Sequence, residues 1–158
     1  MEFKIIKSDH PMKDDKREAI LDNPAFGVNF TDHQVIIEWT KDGGWQNARV
    51  EPYGPIMMDP SSAVLHYGQE IFEGIKAYRL KTGVEAIFRP YDNFKRFNKS
   101  ASRMEMPSVP EEIFIGGMKQ LLQVDAEWIP EEYDHSLYIR PFMFATDEVI
   151  GVNPSATY

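Results

Sequence analysis

The apolar period of the chain changes at Pro90, and that change limits the folds open to it. Beyond Pro90, Phe94, Phe97, Ala101 and Met104 recur at helical spacing, which predicts an amphipathic helix over 91–104. Before Pro90 the pattern is that of strands. "QVIIEW" (34–39) and "QNARVEPY" (46–53) flank the glycine-bearing turn "TKDGGW", and "GIKAYRL" and "VEAIF" flank "KTG", so two hairpins are predicted. "GPIMMDPSSA" (54–63) reads as a loop. After "MPSVPEE" breaks the first helix, Ser108 is placed to cap a second, with Pro110 near its first turn and Glu111 and Glu112 at its positive end. Ile113, Met118, Leu121, Leu122 and Val124 give that helix an apolar face. Gly116 and Gly117 weaken it by about 1 kcal/mol each. "IPEEYDH" is a loop, and "SLYIRPFMFAT" (136–146) alternates as a strand.

Strands, two helices, then a strand define an α+β class: two main helices on one face of a mostly antiparallel sheet. Residues 1–24 are charged and weakly patterned and read as an arm or a poorly ordered lead-in, with 25–158 forming the body. The end, "GVNPSATY", falls where a further β-like segment starts, so the chain is expected to be one domain of something longer.

Composition narrows the function. With 158 residues, 42% of them apolar and 13% aromatic, a real core is available. A net charge of −8 and a pI near 5.0 argue against general binding to nucleic acid or an anionic membrane, because both need a basic field. There is no cysteine, which removes disulfides, thiolate metal sites and cysteine nucleophiles together. No apolar run approaches the roughly 18 residues of a membrane span, and the start lacks the apolar stretch of a signal peptide. A cytoplasmic protein is the expectation. His10, His33, His66 and His135 never pair four residues apart, so no metal is expected, and no P-loop, G-x-S-x-G or dinucleotide motif is present.

Against this acidic background "IFRPYDNFKRF" (87–97) is basic and aromatic. On the helical wheel Lys95, Lys99 and Arg103 lie opposite the apolar residues, and Arg96 lies between the two faces. The pattern alone favours a solvated basic face; a planar guanidinium at that margin could also hold a phosphate. In "LYIRP", Tyr138 and Arg140 share one strand face, and an arginine among apolar neighbours either pairs with an anion or reaches out to water. Tyr67 and Phe72 stand among glycines in "LHYGQEIFEG", as core packing or as a pocket wall.

Taken in order, "FGVNFTDHQVIIEW", "VLHYGQEIFEGIKAYR", "FRPYDNFKRF" and "SLYIRPFMFATDEVIGV" resemble the branched-chain amino-acid aminotransferases from about residue 24 onward. These are pyridoxal-phosphate (PLP) enzymes of the fold type that includes D-amino-acid aminotransferase and aminodeoxychorismate lyase. The resemblance implies a two-domain subunit of which this chain is the small N-terminal domain. The Schiff-base lysine and the glutamate that pairs with the pyridine nitrogen then lie outside it. No catalytic residue is assigned within it, Lys76 of "GIKAYR" included, and alone it is expected to be inactive. Arg96 matches the arginine that holds the PLP phosphate. Tyr67, Phe72 and Phe26 match the substrate pocket, and Tyr138 and Arg140 the side that takes the substrate carboxylate. Ile150 and Val152 match a loop that reaches toward the other subunit of a homodimer.

The implied reaction moves the amino group of leucine, isoleucine or valine to 2-oxoglutarate. An aromatic wall suits such side chains, since each buried methylene gains about 0.8 kcal/mol, yet it cannot easily exclude valine where leucine fits. Two other readings stay open: another enzyme of the same fold type, against which the long "FTDHQVIIEW" lead-in argues, and a free-standing α+β binding module.

Overall fold

The computed structural model describes residues 1–158. The first hairpin forms as its sequence predicts: β2 (His33–Thr40) and β3 (Gly44–Pro52) run antiparallel, with a bulge between Ile36 and Glu38. A short β1 (Lys4–Ile5) adds to β3 in parallel. The second hairpin, β5 (Ile75–Arg79) with β6 (Glu85–Ile87), also forms. With β4 (Glu70–Phe72), β7 (Leu137–Ile139) and β8 (Phe142–Phe144) the α+β class holds, but the strands divide into three small sheets, ordered β1-β3-β2, β4-β8 and β6-β5-β7.

The last two are separate because of one residue in the segment expected as a single strand. Pro141 has no N–H to give to a ladder. The chain therefore turns there, and 136–146 splits into β7 (Leu137–Ile139), paired with β5, and β8 (Phe142–Phe144), paired with β4 (Glu70–Phe72). Two further elements, α1 (Asp14–Asp22) and α2 (Ala63–Tyr67), carry too little apolar periodicity to be visible in the sequence.

The helices α3 (Pro90–Arg103) and α4 (Glu111–Val124) cover the sheets. Phe97 and Ala101 of α3 are buried, while Lys95, Lys99 and Arg103 face water as their spacing requires. Met104 caps α3 and is exposed; Met106, two residues on, takes the core position instead. In α4, Ile113, Met118 and Leu122 are buried, and Phe114 meets Phe94 and Phe97 with ring centroids 5.8 and 5.2 Å away. Ser108 does not cap α4. Its hydroxyl donates to Asn98 Oδ1 (3.1 Å) and its carbonyl accepts from Trp45 Nε1 (2.9 Å), while Pro110 occupies the cap position. Asn98 also accepts from the Val109 N–H and donates to the Val109 carbonyl, which closes the turn between the helices.

Residues 1–24 differ from the loose arm expected. The Ser8 N–H donates to His33 Nε2 (2.8 Å), the Met12 N–H to Asp32 Oδ1 (2.7 Å), and Arg17 pairs with Glu127 (2.8 Å). His33 is itself buried against Asp125, with Nδ1 and the backbone N–H both directed at that carboxylate (2.6 and 3.0 Å). These fastenings join polar groups 20 or more residues apart, so no local pattern announces them. Phe3 lies over Gly116 and Gly117, where the absence of side chains lets β1 approach α4.

The two glycines are not equally needed. A methyl at Gly116 would meet the Phe3 ring at 3.5 Å, an ordinary contact. Gly116→Ala is therefore expected to stabilise the protein by up to about 1 kcal/mol through helix propensity. That is a rise of roughly 2–4 °C in melting temperature for a chain of this size, and thermal unfolding followed by circular dichroism checks it.

Candidate functional site

Four of the residues singled out in the sequence meet at the corner made by Pro141. Tyr138 projects from β7, and the Phe26 ring stands edge-on to it with centroids 5.1 Å apart. Arg140 donates from Nη2 to the Tyr138 hydroxyl (2.9 Å) and lays its guanidinium over the Phe72 ring, 4.6 Å from the centroid. Arg140 forms none of the salt bridges in the chain. It is an exposed cation held by aromatic faces, with its charge available to an anion. The alternative of a structural ion pair at Arg140 is thereby absent from the fold. Lys76 stands directly across from Tyr138 in the β5–β7 ladder and is exposed on the same face.

Gly74 makes this arrangement possible. A Cβ there would lie 2.9 Å from Tyr138 Cζ and closer still to the hydroxyl. The neighbouring Glu73 holds the other candidate. Arg96 donates from Nε to Glu73 Oε1 (2.6 Å) and from Nη2 to Oε2 (2.5 Å). Asn93 adds a bond to Oε2 (2.9 Å). The Arg96 side chain is 65% exposed although its partner is only 4% exposed. Burial opposes ionisation of Glu73, but the bonds from Arg96 and Asn93 and the Arg96 charge outweigh it, so its pKa lies below the ordinary carboxylate value. The stability this ion contributes is present above the unfolded-state pKa and is lost as the pH falls through the lower, folded-state value.

Tyr67, Ile150 and Val152 stand apart from this cluster. Tyr67 ends α2 beside His66, with ring centroids 6.2 Å apart, and Gly68 follows in the left-handed conformation (φ 62°). Ile150 and Val152 face solvent on the loop between β8 and the C-terminal residues. Sequence reasoning missed Glu73 and Gly74. The signal was a single acidic residue between Phe72 and Gly74, in a segment whose neighbours Ile71 and Ile75 are core. Its partner lies 23 positions away, beyond any local pattern.

The corner is an open shelf on which Phe26, Phe72 and Arg140 are exposed; two depressions elsewhere lie along residues 1–4 and between the lead-in and His33. No group of three or more metal-ligating side chains converges anywhere, and no helix is long and apolar enough to cross a membrane.

No family model matches the chain. Among curated proteins it is 51% identical over 159 residues to the branched-chain-amino-acid aminotransferase of Mycolicibacterium smegmatis, covering 100% of this chain and 43% of that protein. It is 48% identical over 152 residues to the probable branched-chain-amino-acid aminotransferase of Streptomyces coelicolor, covering 96% and 42%. The chain spans less than half the length of these relatives. The T.th. branched-chain amino acid aminotransferase, solved with N-(5′-phosphopyridoxyl)-L-glutamate, superposes with a TM-score of 0.53 at 32% identity over 77% of this chain and 36% of that one. The Escherichia coli enzyme superposes with a TM-score of 0.57 at 26% identity over 78% and 37%. The fold is that of the fold-type IV aminotransferases. Over its own length the chain is similar to the N-terminal part of the branched-chain-amino-acid aminotransferases.

The tight seat of Tyr138 gives a test of the corner. Gly74→Ala forces the ring out of place and is expected to cost about 1–3 kcal/mol, as overpacking does. Melting temperature gives the cost, and loss of the Phe26–Tyr138 ring contact in NMR spectra shows where it falls.

Proposed function

We propose that this chain forms part of a PLP-dependent transaminase that moves the amino group of leucine, isoleucine or valine to 2-oxoglutarate. The observation that carries this reading is Arg140, a cation without a carboxylate partner set against Phe72 and Tyr138, one residue pair away from Arg96 along Glu73-Gly74. Aliphatic substrate rests on the aromatic faces of Phe26, Phe72 and Tyr138. A substrate carboxylate pairs with Arg140. Tyr67 extends the wall, and Ile150 and Val152 close it from the loop side in a homodimer.

The residues fit the cofactor's phosphate. Two of the five N–H groups of Arg96 are taken by Glu73, and three remain on an exposed side chain. Arg96 would hold the phosphate there. PLP supplies an electron sink for the bond changes at the substrate's Cα. This chain's part is to bind, orient and exclude water. The proton-moving lysine lies in the part of the parent protein beyond this chain.

Residues 25–158 make up the small domain, along which 1–24 are fastened, and the parent works in the cytoplasm. The exposed surface supports a domain that is covered in the complete protein. It amounts to 10,294 Å² for 18.3 kDa, against about 8,100 Å² for a compact monomer of that mass. Phe26, Met57, Phe88 and Val152 all contribute to it. A free-standing binding module has no need of so many exposed large apolar side chains.

Arg96→Ala in the full-length protein is expected to weaken PLP retention roughly ten- to hundredfold, the range for one charge-assisted contact. Dialysis followed by measurement of bound cofactor tests this, and unchanged retention would return Arg96 to the solvated face. Arg140→Ala is expected to leave PLP retention unchanged and to lower the melting temperature only slightly, because no ion pair is broken and only an exposed hydrogen bond and cation–π contacts are lost. It should worsen the kinetic constants for the carboxylate-bearing substrates. A large drop in melting temperature with intact kinetics would remove Arg140 from the site.

A further inference from the structure

We propose that Glu73 is a positioning residue for Arg96: it takes the Nε/Nη2 edge of the guanidinium and leaves the Nη1/Nη2 edge as the one presented to a phosphate monoester. The inference rests on the reading of Arg96 as the phosphate ligand and adds how that ligand is aimed.

The two partners are unequal, and the inequality sets which one positions the other. Arg96 is a long, flexible side chain, 65% exposed on α3. Glu73 is 4% exposed and held from several sides. Its Oε2 accepts from Asn93 Nδ2 (2.9 Å) and from the Gly74 N–H (3.3 Å), and its own backbone N–H donates to the Pro141 carbonyl (2.8 Å). Asn93 is tied in turn to the Gly74 carbonyl (3.2 Å). The carboxylate is thus fixed by Asn93 and Gly74, and its backbone by the β7–β8 corner, before Arg96 is considered.

A guanidinium has five N–H groups on a rigid plane. Once Nε and one N–H of Nη2 are bound, the plane cannot rotate, and the remaining three N–H groups point in fixed directions. An arginine on a solvated helix face would lose its rotamer freedom when an anion arrived. Here that ordering belongs to folding, and preorganisation of this kind favours binding. Glu73 also cancels one positive charge beside the anion. What remains is a directional donor set more than a net field, so phosphate recognition depends on geometry and varies little with salt.

The same buried carboxylate lies next to Gly74, on which Tyr138 sits, so the aim of Arg96 and the placement of Tyr138 share one dipeptide. A displacement of Glu73 is therefore felt on both sides of the corner.

The test compares the affinities of the full-length protein for pyridoxal 5′-phosphate and for pyridoxal, which lacks the phosphate. Both are measured by absorbance titration at an ionic strength of about 0.15 M, where exposed charges are screened beyond roughly 8 Å. The ratio of the two affinities isolates phosphate recognition from folding and from the rest of the cofactor. Arg96→Ala is expected to abolish most of the preference for the phosphorylated form. Glu73→Gln keeps the size and one acceptor but loses the second bond and the charge. It is expected to lower the preference roughly three- to tenfold and to make it fall more steeply with added salt. In the double variant the preference should be no lower than in Arg96→Ala alone, since Glu73 acts through Arg96.

A Glu73→Gln protein with a lower melting temperature but the wild-type affinity ratio overturns the positioning role and leaves the Arg96 reading intact. An unchanged ratio in Arg96→Ala overturns the reading beneath it. If Glu73→Gln does not fold, Asn93→Ala loosens the same carboxylate. A smaller loss of preference in the same direction supports the proposal, and the wild-type ratio overturns it.

Discussion

A buried carboxylate next to a glycine organises one side of this molecule. Glu73 collects Arg96 and Asn93 from α3, and its N–H reaches the Pro141 carbonyl at the turn between β7 and β8. Gly74 then leaves room for the Tyr138 ring. A buried charge is tolerated only when its acceptors are filled, and here the filling groups are Arg96 and Asn93 of α3 and the N–H of Gly74. The helix cannot shift against the end of β4 without leaving that ion unpaired. Polar bonds thus tie the shelf together in front of the apolar packing of Phe97, Ile75 and Ile139.

The N-terminal segment is fastened by a second buried carboxylate. Asp125, just after α4, takes two bonds from His33 at the start of β2, and the far nitrogen of the same imidazole takes the Ser8 N–H. With Nδ1 donating and Nε2 accepting, the neutral imidazole fills both roles at once. Asp32 repeats the device by bridging the Met12 N–H and Trp128 Nε1. An N-terminal segment with little apolar content is thereby held without a large core of its own.

What can be read from the sequence follows the range of the interaction. Both hairpins and both long helices are visible because their signals, an alternating period, a glycine turn or a helical stripe, lie within a few residues of one another. The lead-in misleads because its partners are Asp32, His33 and Glu127, remote in sequence. The strand over 136–146 reads as continuous because its alternation is genuine; Pro141 divides it by the loss of one donor. Of the site, Phe26, Phe72, Tyr138 and Arg140 are legible and do converge, and Arg96 is legible without its partner. Glu73 is hidden, because a lone acidic residue between Phe72 and Gly74 looks the same whether it is solvated or paired. Tyr67, Ile150 and Val152 do not join the cluster within this chain.

The division of the sheets by Pro141 also bears on how the isolated chain behaves in solution. An exposed apolar surface invites self-association, and ordered aggregates grow most readily from long, flat strand edges. Here β4, β6, β7 and β8 are three residues each, and they end at glycines, at Pro141 or at the start of a helix. The longer β2 has its free edge partly occupied, since Tyr158 exchanges backbone bonds with Trp39, and Lys41 donates to the Ala156 carbonyl. The sticky face of the protein is thus built mainly from side chains on short strands and loops, a poor template for fibre growth.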